Sequence, residues 1–164
     1  MSTGNPIEPS MLNVEREALT GRYDHRLDPK RRFTIPLRWF ERLGNPPEVY
    51  VMRSLTQERC LDVFAPSELD DRLRPFRNRA LTDAKVAKFL RELSERTDLV
   101  SVDSQNRIRV SDEMLSYAGL ESDIVLYGSG THFEIWSLAN RPKQAINEVE
   151  RVENLADIAK ELNF

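Results

Sequence analysis

Three consecutive cations, Lys30, Arg31 and Arg32, stand in the stretch LDPKRRFTIP at residues 27–36, with Asp28 four positions before Arg32. A carboxylate at that spacing can pin its own turn and pair with the arginine. A guanidinium presented on a rigid turn can also bind a phosphate or a guanine edge through two parallel hydrogen bonds. Successive side chains point to different sides of the chain, so internal carboxylates cannot satisfy all three cations, and contact with nucleic acid is the favoured reading. Residues 22–42 hold seven basic side chains (Arg22, Arg26, Lys30, Arg31, Arg32, Arg38, Arg42) against three acidic ones (Asp24, Asp28, Glu41), a local balance of +4. The Asp-x-x-x-Arg pattern returns further along the chain as Asp103 and Arg107 in VDSQNRIRV, residues 102–110. That surround is acidic: Arg107 and Arg109 face Asp98, Asp103, Asp112 and Glu113 over residues 97–117, a balance of −2. Arg107 is therefore read as paired within its own turn, and only the first turn is prepared for a polyanion.

Catalytic signatures are missing. The sequence has no phosphate-cradling Gly-x-x-x-x-Gly-Lys, no dinucleotide fingerprint, no His-Glu-x-x-His and no Cys-x-x-Cys. Gly128-Ser129-Gly130 is too short for a phosphate loop and lies between two strand patterns, which makes it a hairpin turn. His25 and His132 have no visible ligand cluster and are read as structural or surface residues. Cys60, the single cysteine, cannot form an internal disulfide, fits a reducing cytoplasm and is read as a small buried apolar residue. No catalytic residue, cofactor or metal site is predicted.

The elements that must position the turns follow from the apolar pattern. A chain of 164 residues suits one domain or two small halves sharing a core. No apolar run approaches the ~20 residues of a membrane helix, and the N-terminus lacks the basic start and apolar stretch of a secretion signal. Residues 1–20 read as a mobile tail with a short helical turn near 14–19. A strand over 22–27, the turn at 28–31 and a strand over 32–35 predict a β-hairpin, the turn initiated by Asp28 and preset by Pro29. Pro36 opens a short helix with Trp39, Phe40 and Leu43 on its apolar side and Gly44 at its end. Strands follow over 48–53 and 60–64. A helical connection over 65–96 comprises a first helix limited by Pro75 and a second, capped by Thr82 or Asp83, with Val86, Phe89, Leu90 and Leu93 on its apolar face. The first half then repeats at one fixed offset, which carries Asp28 onto Asp103 and Gly44 onto Gly119. Strand 99–102, turn 103–106, strand 107–110, a short helix behind Ser111 to Gly119, strand 124–127 and a closing strand through Phe133, Ile135 and Trp136 make up this second copy. A helical tail over 137–164 has Pro142 in its first turn and a stripe of Ile146, Val149, Val152, Ala156, Ala159 and Leu162. Packing on its own domain is its simpler reading, packing on a neighbouring subunit the sharper one.

The stretch YDHRLDPKRRFTIP (23–36), the second turn Asp103 to Arg107, AGLE (118–121) and YGSGTHFEIW (127–136) resemble the MraZ family in the same order from about Gly21 to Trp136. The resemblance implies an α+β chain of two AbrB-like swapped-hairpin units forming a β-barrel, over 21–64 and 97–136, with short helices, the helical connection between them and a C-terminal helix. It implies a cytoplasmic, nucleoid-associated bacterial transcriptional regulator of the division and cell-wall gene cluster. Such a regulator assembles into a homo-oligomeric ring on tandem repeats of double-stranded DNA, without a membrane. The family's first-turn DNA contact maps to Arg32 with Lys30 beside it. Arg31, Arg26 and Arg38 complete the expected DNA-binding set, and Asp28, Arg32, Asp103 and Arg107 form the structural turn motif. This chain departs from the family in having Arg31 and Asn106 where glycine usually precedes each motif arginine, and Ser111 in place of proline.

The leading expectation is a sequence-specific DNA-binding regulator. A protein-interaction scaffold that does not bind DNA is the alternative, and an enzyme comes third.

Overall fold

A computed structural model describes residues 17–143 and 147–164. Eight strands and five helices occupy these residues: β1 Arg22–Arg26, β2 Arg32–Thr34, α1 Leu37–Arg42, β3 Glu48–Arg53, β4 Leu61–Phe64, α2 Pro66–Arg77, α3 Ala84–Glu95, β5 Thr97–Ser101, β6 Arg107–Arg109, α4 Asp112–Ala118, β7 Asp123–Gly128, β8 Phe133–Ser137 and α5 Glu148–Glu161. The pairs β1 and β5, β2 and β6, and β3 and β7 stand at one constant offset, their first residues running from Arg22 to Thr97, Arg32 to Arg107 and Glu48 to Asp123. Six strands form one antiparallel sheet in the order β1-β7-β8-β4-β3-β5, and β2 pairs only with β6 in a separate two-stranded ribbon.

The hairpin predicted across residues 128–131 forms, β7 pairing with β8, but the one predicted around Asp28 does not. The Asp28 turn closes on itself, with Arg31 N–H donating to Asp28 O and Asp28 N–H to Arg32 O at 2.9 Å each. The strands on either side then part: β1 takes Tyr23 against Leu126 of β7, and β2 takes Phe33 against Ile108 of β6. The second turn behaves alike, β5 pairing with β3 through Val100 and Val49. A four-residue turn whose last residue is left-handed swings the outgoing strand away from the incoming one, and each strand finds its ladder in the other half of the chain. The expected barrel does not close either. β1 and β5 are the outer strands of an open sheet, because their continuations leave for the ribbon.

Two aromatic anchors show how the halves share a core. Trp39 of α1 stacks on Phe133 of β8 with ring centroids 5.2 Å apart, and Tyr23 meets Trp39 edge-on at 4.8 Å. Phe33, Ile35, Ile108, Val110 and Met114 are buried around them. Residues 17–20 are tied to this body: Leu19 is buried and exchanges two backbone hydrogen bonds with Gly130, and Trp39 Nε1 donates to Thr20 O at 2.8 Å. The Leu19–Thr20 backbone crosses so close to Gly128 that a Cβ there would lie 2.7 Å from it. Of the helical turn predicted near 14–19, residues 14–16 lie outside the described residues, and 17–19 are not helical, Leu19 forming an antiparallel bridge to Gly130.

Pro75 does not limit α2, which runs on to Arg77. Asp83 caps α3 by accepting from the Lys85 and Val86 amides. On that helix Val86 and Leu93 are buried, whereas Phe89 stays exposed. The C-terminal helix starts behind Asn147, so Pro142 lies before it rather than in its first turn; Ile146 is outside the described residues. Every large apolar side chain of α5 is exposed, which overturns the simpler expectation that it packs on its own domain.

Candidate nucleic-acid interface

Asp28 organises the first turn by hydrogen bonds and an ion pair with Arg32. Its Oδ1 accepts from the amides of Lys30 (2.9 Å) and Arg32 (2.8 Å), and its Oδ2 accepts from Arg32 Nε at 2.8 Å. Asp103 repeats the set with the amides of Gln105 and Arg107, both at 2.9 Å, and Arg107 Nε at 2.8 Å. Desolvation works against the Asp28 charge, but the hydrogen bonds and positive charge of Arg32 outweigh it and hold the carboxyl below its ordinary range. For Asp103 the Arg107 amide is the largest influence, desolvation opposes it, and the net shift is again downward. In both turns the aspartate occupies the Nε of the arginine and leaves its Nη groups without a partner among the described residues.

The residue before each motif arginine sits in the left-handed region, Arg31 at φ 63° and Asn106 at φ 59°. Asn tolerates this conformation, whereas Arg does so at a cost. The backbone needs it, because the carbonyls of these two residues turn outward to the other half. Arg31 O accepts from Val110 N–H at 3.0 Å, and Asn106 O accepts from Ile35 N–H at 2.8 Å.

The ribbon joins the two turns. In its register Arg32 lies opposite Arg109 and Thr34 opposite Arg107, while Phe33 and Ile108 between them are buried. Alternation puts Arg32, Thr34, Arg107 and Arg109 on the face away from the core. With Lys30 and Arg31, five cations and two aspartates share this ribbon and its turns. Like charges directly opposite one another disfavour the pairing. Among the described residues Arg109 has only Asp112, at 3.7 Å, to offset it. Pairing between the halves thus brings Arg109, from the copy with the acidic window, beside the basic turn. Charge counted along the chain could not show this.

The other predicted cations separate by partner. Lys30 and Arg31 are exposed and have no carboxylate partner among the described residues. Arg38 is in the same condition, but it stands on α1 outside the ribbon. Arg26 pairs with Asp123 at 3.1 Å and Arg22 with Asp24 at 3.0 Å. Arg42 holds the chain entry instead, binding Glu17 and the Ala18 carbonyl at 2.7 Å each.

A second concave region, of about 610 Å³, lies between the sheet and α2 and α3. Its apolar wall includes Leu55, Phe64, Leu73, Phe76 and Phe89, and its floor carries Asp62 and His132, whose Oδ1 and Nε2 are 3.2 Å apart. Glu58, Cys60 and Glu134 approach one another nearby, within 4.8 Å. Burial first, then the charges of Asp62 and Glu134, push the Cys60 thiol far up, away from the reactive thiolate form. Burial likewise raises the Glu134 carboxyl. No helix among the described residues is long and apolar enough to cross a membrane.

Comparison with known sequences places the chain among named relatives. A family model described as "MraZ protein, putative antitoxin-like" matches residues 93–157, from the end of α3 through the second half into α5. A protein of Tropheryma whipplei named "Transcriptional regulator MraZ" is 34% identical over 116 residues, 71% of this chain and 78% of that protein. The protein of the same name from Mycoplasmopsis pulmonis is 29% identical over 145 residues, covering 88% and 96%. That of Micrococcus luteus is 33% identical over 117 residues, covering 71% and 78%.

Proposed function

The chain belongs to the MraZ family, and we propose that it is a transcriptional regulator that grips double-stranded DNA with the β2–β6 ribbon and the first turn. One observation carries this reading. Arg31 holds a left-handed backbone at the tip of the turn, where glycine would be free of strain, and its side chain has no partner among the described residues. Strain of this kind persists where the residue has a use, and an exposed guanidinium beside Lys30, Arg32 and Arg109 has an evident one in binding phosphate. Asp28 contributes by fixing Arg32 in advance. With Nε held at 2.8 Å, the two Nη groups face outward in a planar fork that matches two phosphate oxygens or the O6 and N7 of guanine. Phosphate also relieves the opposition of Arg32 and Arg109 across the ribbon, so binding removes a cost that the free protein bears.

The pairing of β2 with β6, of β1 with β7 and of β5 with β3 supports two AbrB-like swapped-hairpin units as the architecture. One ribbon with few phosphate contacts binds weakly, and several copies held together gain by effective concentration. A ring of subunits reading tandem repeats upstream of the division and cell-wall gene cluster, in the cytoplasm at the nucleoid, meets that need. Footprinting of the region upstream of the chain's own operon, with mass by light scattering, tests the proposal. Arg32→Ala is expected to abolish the repeated footprint and leave the assembled mass unchanged. An intact footprint refutes the role of the ribbon. Absence of DNA retention at every salt concentration makes the protein a scaffold instead.

A further inference from the structure

The C-terminal helix and the groove under α2 and α3 are two incomplete surfaces in one chain. On α5 and its C-terminal cap, Val149, Val152, Leu155, Ile158 and Leu162 fall at intervals of three and four, and all are at least half exposed. A lone helix of 14 residues is marginal in water and needs cover on its apolar face. The groove presents the opposite deficit: Phe89 and Leu55 are exposed at its mouth, 42% and 59%, above a wall that already buries Leu69 and Leu93.

We propose that α5 of one copy seats its apolar face in the α2–α3 groove of the next copy, joining subunits head to tail. Charge points to this occupant. Residues 148–161 carry five acidic and two basic side chains, whereas residues 66–96 carry eight basic and six acidic. Lys85, Lys88 and Arg91 on α3 have no carboxylate partner among the described residues, and Glu153, Asp157 and Glu161 on α5 have no basic one. Ten residues, 138–147, separate β8 from α5. Donor and acceptor surfaces differ, so the contact is heterologous, and a heterologous contact that closes on itself makes a ring. The inference rests on the proposed oligomer and specifies how it is joined.

The test uses the full chain and two variants at exposed positions. Leu155→Glu/Ile158→Glu removes the donor, and Phe89→Glu/Leu55→Glu removes the acceptor. Cooperative melting checks each fold, and Leu155→Ser or Phe89→Ser replaces any variant that fails it. Native mass spectrometry is expected to find a multimeric wild type and each variant alone as a monomer. An equimolar mixture of the two variants is expected to give dimers and nothing larger, because one intact helix meets one intact groove and the chain of contacts then stops. Either variant assembling to the wild-type mass overturns the inference, as does a mixture that stays monomeric. Loss of assembly in the helix variant alone overturns it in favour of α5 pairing with α5. A monomeric wild type instead defeats the oligomer itself.

Discussion

Replacing Lys30 and Arg31 together by alanine isolates the charge that the first turn adds to the shared Asp-x-x-x-Arg frame. Both side chains are exposed and neither has a carboxylate partner among the described residues, so the fold and the Asp28 hydrogen bonds are expected to survive. The consequence falls on salt dependence. With Lys30, Arg31, Arg32 and Arg109 each neutralising a phosphate, the slope of log affinity against log salt is about −3.6 per engaged subunit, and about −1.8 for the double variant. Between about 50 mM and 200 mM NaCl the wild type then loses roughly 150-fold in affinity per engaged subunit and the variant roughly 12-fold. The ratio of the two slopes, about one half, does not depend on how many subunits engage, because both slopes scale with that number. Fluorescence anisotropy on a duplex from the chain's own upstream region, titrated across a NaCl series, measures it. Arg59→Ala/Lys143→Ala, two exposed cations outside both the ribbon and the α2–α3 groove, serves as the control. An unchanged slope for the turn variant, or an equal fall for the control, refutes the assignment of the DNA-facing surface.

Arg31→Gly separates strain from charge. It is expected to raise thermal stability by about 0.5 kcal/mol, the left-handed cost removed less the entropy glycine adds to the unfolded chain, while weakening DNA binding. A variant that binds DNA as the wild type does removes Arg31 from the interface. Gly128→Ala is expected to cost about 1–3 kcal/mol in a denaturant melt, since the new methyl meets the backbone of Leu19 and Thr20 at 2.7 Å. A neutral result means that the 17–20 segment does not cross there. The depressed carboxyls of Asp28 and Asp103 make a pH prediction. Their folded forms hold protons less tightly than the unfolded chain, so the stabilisation is complete above the ordinary carboxylate range and is lost as the pH falls through it and below. Carbon-detected NMR titration is expected to place both midpoints below that of an unperturbed aspartate in the same buffer, and a midpoint at or above that reference refutes the turn hydrogen bonding.

The residues that make the turns were legible along the chain because they act locally. Aspartate binds amides two and four positions on, a motif arginine folds back on it, and a left-handed position precedes it; each is a relation among near neighbours. The internal repeat, Asp28 to Arg32 returning as Asp103 to Arg107, was legible for the same reason, since like segments form like elements. Short range also explains the errors. Alternating residues on both sides of Asp28 predict a hairpin, but alternation says that a strand has a buried face and not which strand lies beside it. The exposed state of α5 was equally out of reach, because its stripe reads the same whether the cover is its own sheet or another subunit.

By itself the sequence determined the turn chemistry, the order of the elements and the family, all set by local hydrogen bonding and residue pattern. Only the tertiary structure decided that β2 pairs with β6, and with it that Arg109 joins Arg32, that the sheet stays open and that α5 lies bare. Pairing between strands as distant in the chain as β2 and β6 is chosen by the shared core around Trp39 and Phe133, and a core exists only once both halves have folded together.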